Sequence, residues 1–497
     1  MMNDYDVVVI GAGNGGLTAA LSLAKNGCKV LLLEQHNIPG GCATSFIRGR
    51  FEFEVALHQL SGLGTESQPG PLRDTFRRLG VLDKLDFVEQ ENLFRIVLPG
   101  KLDITLRACR DDIVRVLKDR FPAESSGIDR FFNLMYLFST QMIFGVYSRD
   151  PEISKTKYPE FFEYAAQDLQ AVMDKYLSDP LLKLSIGNYW SYLGLPFNKL
   201  SFLDYAIMLF SYIELKPFHI KGSSQALSSA LLDAFLKAGG DVRFNCKARK
   251  IVVKDKQVQG VVTADGFEIS TRHVVSNAST LTTYLEMIDI GDLPESIIQS
   301  FSSRTIGLSA CGLYLGFDCE PQDMGVTEST NFIYMSDDLD RMFRLGRTLE
   351  KPEMVMFSCF DVEDPSFSPT GAAQGALMAT SYAEPWLSVP PNQYAETKYE
   401  YTQNLLDMLD LIYPDCREHI EEAEVSTPLT HMRYLGHPGG AIYGLDQYVK
   451  DTNLFVSPHS AIKGLFFAGA WANSGGFQVT LASGESAARY VLKSLNQ

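Results

Sequence analysis

The chain has 497 residues, of which 45% are apolar and 21% charged. That is enough chain for about three domains, and the fractions are those of a globular protein, which excludes a disordered chain and a disulfide-stapled scaffold. Sixty Asp and Glu against 44 Lys and Arg leave a net charge of −16, a field that repels polyanions and argues against nucleic-acid binding.

The eight cysteines form no CxxC pair and share no ligand spacing with His, so neither zinc nor a disulfide framework is expected. A strand-like run beginning at Tyr5 leaves no room for a leader, which makes reducing cytoplasm the expected compartment. No stretch reaches the roughly 18 apolar residues of a membrane span. Residues 133–146 and 205–215 are nevertheless apolar enough for peripheral contact with a membrane.

Residues 6–10 (DVVVI) read as a strand buried on both faces. Gly11-x-Gly13-x-x-Gly16 follows and opens a helix closed by Gly27. A second strand over 29–33 ends at Glu34, 18 residues after Gly16. The three glycines serve different ends. Gly11 permits the tight turn, Gly13 lets the backbone approach a pyrophosphate, and Gly16 packs helix on strand. The pyrophosphate then meets a helix N-terminus, and the Glu34 carboxylate suits the two hydroxyls of an adenosine ribose. Dinucleotide binding is the expectation, with a bare structural turn as the alternative.

Gly40-Gly41 lies six residues beyond Glu34, a second bare-backbone turn that a long dinucleotide with a tricyclic head requires, so FAD is favoured over NAD. Residues 71–214 read as mostly helical, with broad aromatic and Met-rich stripes at 131–146 and 200–215. A helix spans 225–238, and 258–262 and 267–270 flank the Ala264-Asp-Gly266 turn of a hairpin. Val274 and Val275 suggest a strand returning to the first sheet. Strands are expected at 308–317, 353–360 and 375–382, a helix at 395–411, and a strand, loop and helix at 464–488. The final helix follows Gly475-Gly476, so its N-terminus can face negative charge developing on a flavin.

The GAGNGG start, the EQHNIPGG segment, FEFEVALH at 51–58, the turn at 221–226, DPSFSPTG at 364–371, TPLT at 427–430, PGGAIYG at 438–444 and the terminal FFAGAW resemble the phytoene desaturase, carotenoid isomerase and retinol saturase family of FAD oxidoreductases. The resemblance spans nearly the whole chain and is nearest to the retinol saturase-like branch, which tends to carry a His at the position of His58. It implies an α/β fold: a discontinuous Rossmann-type FAD-binding domain with a mixed-sheet plus helical substrate domain. The implied division is 1–70, 215–285 and 425–497 for FAD, and 71–214 (largely helical) and 286–424 (mixed sheet) for substrate. The adenine strap would fall at Ala248, and flavin contacts at Gly40, Gly41, Gly469 and Gly476. Related flavoproteins place an acid after the AG of the last motif, where this chain has Ala470.

His58 is the candidate proton donor, since its reference pKa is near neutral; the alternative is a half-buried His bonded to backbone. Tyr443, in a glycine-rich loop, is the second candidate, equally readable as packing. Cys42 reads as a small core residue. Lys221 and Arg433 are candidates for an anionic headgroup or nicotinamide phosphate, though lone basic residues in loops are usually solvated. The implied activity is FAD-dependent desaturation, saturation or isomerisation of carbon–carbon bonds in a hydrophobic polyene such as a carotenoid or retinoid, with NAD(P) as a transient electron donor or acceptor. The alternatives are an amine oxidase-like flavoenzyme, for which the sequence shows no aromatic cage, and a non-catalytic prenyl-lipid escort protein.

Overall fold

The computed structural model describes residues 4–301, 304–446, 448–449, 459–472 and 474–496. Four helices shape the site: α1 (Asn14–Lys25), α2 (Phe202–Glu214), α3 (Ser223–Lys237) and α4 (Phe477–Leu495). Strands Val7–Ile10 (β1), Val30–Leu33 (β2), Asp241–Arg243 (β3), Val274–Ser276 (β4) and Leu465–Phe467 (β5) form a parallel sheet in the order β5-β4-β1-β2-β3. The start, middle and end of the chain thus meet in one sheet, which is the discontinuous Rossmann-type arrangement.

The continuous apolar run of β1 has the cause expected of a parallel strand, because both faces are covered. Val7 and Val9 point into the layer made by α1, α3 and α4. Val8 and Ile10 point the other way, into the sheet formed by strands 248–254, 257–263 and 268–270, whose hairpin was legible in the sequence. Helices α1 and α4 touch closely enough that a Cβ on Gly484 would run into the Gly15 carbonyl and come within 2.8 Å of Thr18 Cβ.

The second sheet has seven strands, in the order 420–426, 309–317, 373–381, 354–359, 330–334, 92–98 and 102–107. All neighbours are antiparallel except 330–334 with 92–98, which makes the sheet mixed. One face carries the helical layer, with Phe94, Ile96, Phe332 and Tyr334 against Trp190 and Phe202. The other face packs on the Tyr394–Leu409 helix through Leu405 and Leu409.

The stretch 71–214 is mostly helical, as expected, with the hairpin 92–107 as an exception within it. Its turn is marked by Pro99-Gly100, with Gly100 at φ +74, a pair that punctuates strands. Of the two apolar stripes, the first becomes a helix over Ser125–Gln141 continued by a π turn over Met142–Tyr147, and the second is α2. Among the described residues, no helix is long and apolar enough to cross a membrane.

Candidate functional site

At the C-terminal ends of β1, β4 and β5, three segments converge on a glycine-lined turn. Gly11 takes φ +91, Gly40 φ +127 and Gly41 φ +61, conformations only glycine adopts without strain. Gly40 N–H donates to the Ala12 carbonyl at 2.8 Å, and Gly13 and Gly40 form a parallel bridge, so the two glycine turns lie side by side. A Cβ on Gly16 would collide with the Gly11 carbonyl, so only glycine lets the helix sit this close to the turn. A Cβ on Gly13 would come 2.8 Å from Asn277 Nδ2, and one on Gly15 would come 2.6 Å from Asn277 Oδ1 and from the Gly469 N. Asn277, just after β4, thus packs between the Gly11–Gly16 turn and Gly469, and neither it nor Gly15 stands out in the sequence.

Glu34 is buried and accepts hydrogen bonds from Ala12 N at 2.6 Å and His36 N at 2.8 Å, fixing its carboxylate beside the turn. Helices α1 and α4 both begin at glycine N-caps, Gly13 and Gly476, without a side-chain cap, so their first-turn N–H groups are left for a ligand. The Asn14 Oδ1 atom is buried with no partner among the described residues. These features fit FAD: a cradle that admits no side chain, a carboxylate for the ribose, and two positive helix ends for pyrophosphate and flavin.

The cradle opens into a cavity of about 1770 Å³, larger than the roughly 300–1,000 Å³ of an ordinary ligand pocket. Beyond the glycine turns its wall is apolar, with Leu193, Ile207, Met208, Met354, Met356 and Met378. Helix α2 runs along it, presenting Asp204, Ile207 and Ser211 at helical spacing.

Tyr192, Tyr212 and Tyr443 come from three distant segments and line the same cavity. Gln59 ties two of them down: its Oε1 accepts from Tyr189 at 2.9 Å and Tyr192 at 3.3 Å, and its carbonyl accepts from Tyr212 at 3.2 Å. The Tyr443 ring fills the space a Cβ on Gly475 would need, beside the start of α4. Among the described residues its hydroxyl makes no hydrogen bond, and burial pushes it up to about 12, so it stays protonated.

His58 lines this chamber with Nδ1 enclosed and without a partner among the described residues. Burial pulls its pKa down to about 4, so the near-neutral value that recommended it as an acid is not retained, and the ring is neutral at pH 7. His431, whose Nδ1 lies 3.1 Å from Ser309 Oγ, is likewise held at about 4 by burial. His437 must donate through Nδ1 to the Ala441 carbonyl at 2.8 Å, which leaves Nε2 as the acceptor.

Of the residues singled out in the sequence, Gly11, Gly13, Glu34, Gly40, Gly41, His58, Ala248, Tyr443, Gly469 and Gly476 all lie on this one cavity, while Gly16 supports it from behind. Arg433 lines it too. Cys42 is no core residue but part of the wall, with burial raising its thiol to about 11. Lys221 does not line it; its Nζ is 3.9 Å from Asp364 Oδ1. Trp471, after Ala470, is buried beside His437, their rings 5.7 Å apart and nearly perpendicular.

A family model described as flavin containing amine oxidoreductase matches residues 15–492. The all-trans-retinol 13,14-reductase of Danio rerio is 25% identical over 94% of this chain and 82% of its own length. The chloroplastic prolycopene isomerase of Arabidopsis thaliana is 26% identical over 94% of this chain and 78% of its own. Wild-type putrescine oxidase bound to putrescine superposes with a TM-score of 0.66 over 99% of both chains at 14% identity, a likeness of fold.

Proposed function

Because the chain belongs to the flavin-containing amine oxidoreductase family, we propose that its reaction is the rearrangement, removal or addition of hydrogen at carbon–carbon double bonds of an apolar polyene. The chain is an enzyme and its cofactor is FAD. The observation that carries the substrate reading is the continuity of one cavity from the glycine cradle to a long apolar wall of Met, Ile and Leu. Relatives that act on retinol and on prolycopene, at about the same identity over nearly the whole chain, support it.

When bound, the isoalloxazine supplies hydride transfer to or from carbon. The residues of the chain do the rest. The glycine turns and Glu34 hold the dinucleotide. The first-turn N–H groups of α4, which carry no side-chain cap, would stabilise negative charge on the bound cofactor. The apolar wall excludes water and fixes the polyene, whose burial at about 25 cal/mol per Å² provides the binding energy. Burial keeps both His58 and Tyr443 neutral at pH 7, so His58 offers a ring nitrogen that can take a proton and Tyr443 a hydroxyl that can give one.

The route for such a substrate is a lipid surface. Leu137, Phe144, Ile153 and Phe162 are between 39% and 61% exposed, on the same segment whose Ile143 and Tyr147 line the cavity. An apolar patch at the mouth of an apolar cavity suits peripheral docking on a bilayer.

Amine oxidation is the second reading, favoured by the aromatic walls Tyr192, Tyr212 and Tyr443. Titrating the yellow holoprotein with retinoids and carotenoids, and separately with putrescine and cyclohexylamine, tests the choice. A flavin absorbance change at low polyene concentration with none for the amines supports polyene binding; the reverse pattern overturns it.

A further inference from the structure

Three motifs far apart in sequence, 51–58, 221–226 and 364–371, meet on one side of the chamber wall. Glu54, at the end of strand Phe51–Glu54, is 2% exposed, a position that is costly for a carboxylate unless it is fully bonded. It is fully bonded. Oε1 accepts from Ala56 N at 3.0 Å, Leu57 N at 2.9 Å and Ser224 Oγ at 2.7 Å, and Oε2 accepts from Ser224 N at 2.6 Å.

These bonds fix two things at once. Ala56 and Leu57 form the turn that immediately precedes His58. Ser224 lies in the first turn of α3, reached through two consecutive left-handed residues, Gly222 at φ +74 and Ser223 at φ +65. The glycine N-cap gives α3 no side-chain cap, and the Glu54 carboxylate takes that place from another part of the chain. The same helix ties to the cofactor cradle, since Ser228 Oγ donates to the Ala43 carbonyl at 2.6 Å.

From the opposite side His58 stacks on Phe360, with ring centroids 6.3 Å apart and planes 10° from parallel. Phe360 in turn stacks on the buried His219 at 5.1 Å. Behind His219 lie Asp364, 3.8 Å away, and Lys221. The aromatic ring separates His58 from these charged groups, so the stack orients the imidazole without forming a proton path to them.

We propose that Glu54 is a positioning residue: its clamp on the 56–57 turn and on α3, with the Phe360 stack, holds His58 in one orientation against the chamber. The proton-handling role of His58 rests on the proposed function; the positioning itself does not.

The test uses the holoprotein carrying labelled histidine, with the His58 signal assigned by His58→Gln. In the native chain this ring should show no titration near pH 6.5. In Glu54→Gln, whose amide cannot accept all four bonds, and to a lesser degree in Ser224→Ala, it should titrate near the ordinary value of about 6.5 while flavin content is kept. Turnover should then fall by roughly tenfold or more with KM little changed. A His58 signal identical to native in both variants overturns the proposal, even if thermal stability drops, and so does loss of flavin with His58 unmoved. A released His58 with unchanged polyene turnover refutes the proton-handling role of His58 and leaves the positioning intact.

Discussion

His58 and Glu363 show how burial moves the same protonation equilibrium in opposite directions for a base and an acid. For His58 the neutral form is favoured; His58→Ala should lower turnover by roughly 100-fold or more while leaving flavin content near native. Unchanged turnover would reduce the residue to wall. Glu363 has its carboxyl pushed up to about 7, chiefly by burial. Its folded pKa exceeds the unfolded value, so stability is full below about 4.5 and is lost as pH rises through 7. Glu363→Gln removes that loss. Its melting temperature should exceed that of the native protein at pH 8, by an amount corresponding to about 1–3 kcal/mol, and the difference should vanish at pH 5. A constant difference at both pH values would mean that ionisation is not the cause.

At the scale of elements, the βαβ start was legible because each feature has a local cause: a two-face-buried strand, glycines at positive φ, an acid at a strand end. The hairpin 257–270 was legible for the same reason. The hairpin 92–107 was not, despite its Pro99-Gly100 turn, because its apolar run sits among helical segments and the second neighbour of its first strand, 330–334, lies more than two hundred residues on. The tyrosine wall was equally hidden: Tyr192, Tyr212 and Tyr443 share no local pattern, and only the tertiary fold brings them to one cavity. Glu54 reads as one polar residue of an alternating strand until Ser224 is placed beside it. Two substitutions probe the elements that were legible. Gly13→Val should push carbons against Asn277 and into the cradle and abolish flavin retention, and a yellow variant would refute that assignment. Gly484→Ala should force α4 off α1 at the Gly15 carbonyl and cost about 1–3 kcal/mol, read by denaturant unfolding of the holoprotein; native stability would mean that the helices adjust freely.

Across the whole molecule, segments far apart in the chain, among them 10–71, 191–215, 246–287 and 424–486, all contribute residues to the lining of the one cavity. The exposed apolar residues between 137 and 162 belong to this scale, since the same segment lends Ile143 and Tyr147 to the cavity lining. Replacing Leu137 and Phe144 together by Glu should abolish flotation with phosphatidylcholine vesicles while leaving the flavin spectrum unchanged; undiminished flotation would remove lipid docking through this face. The polyene chemistry itself is tested most directly by a single anaerobic turnover. Holoprotein, reduced and oxidised in parallel, is mixed with retinol, a cis-carotenoid and putrescine, and the products are identified by mass and chromatographic retention. The expected result is a hydrogenated, dehydrogenated or geometrically isomerised polyene and intact putrescine. An oxidised amine beside untouched polyenes would contradict it.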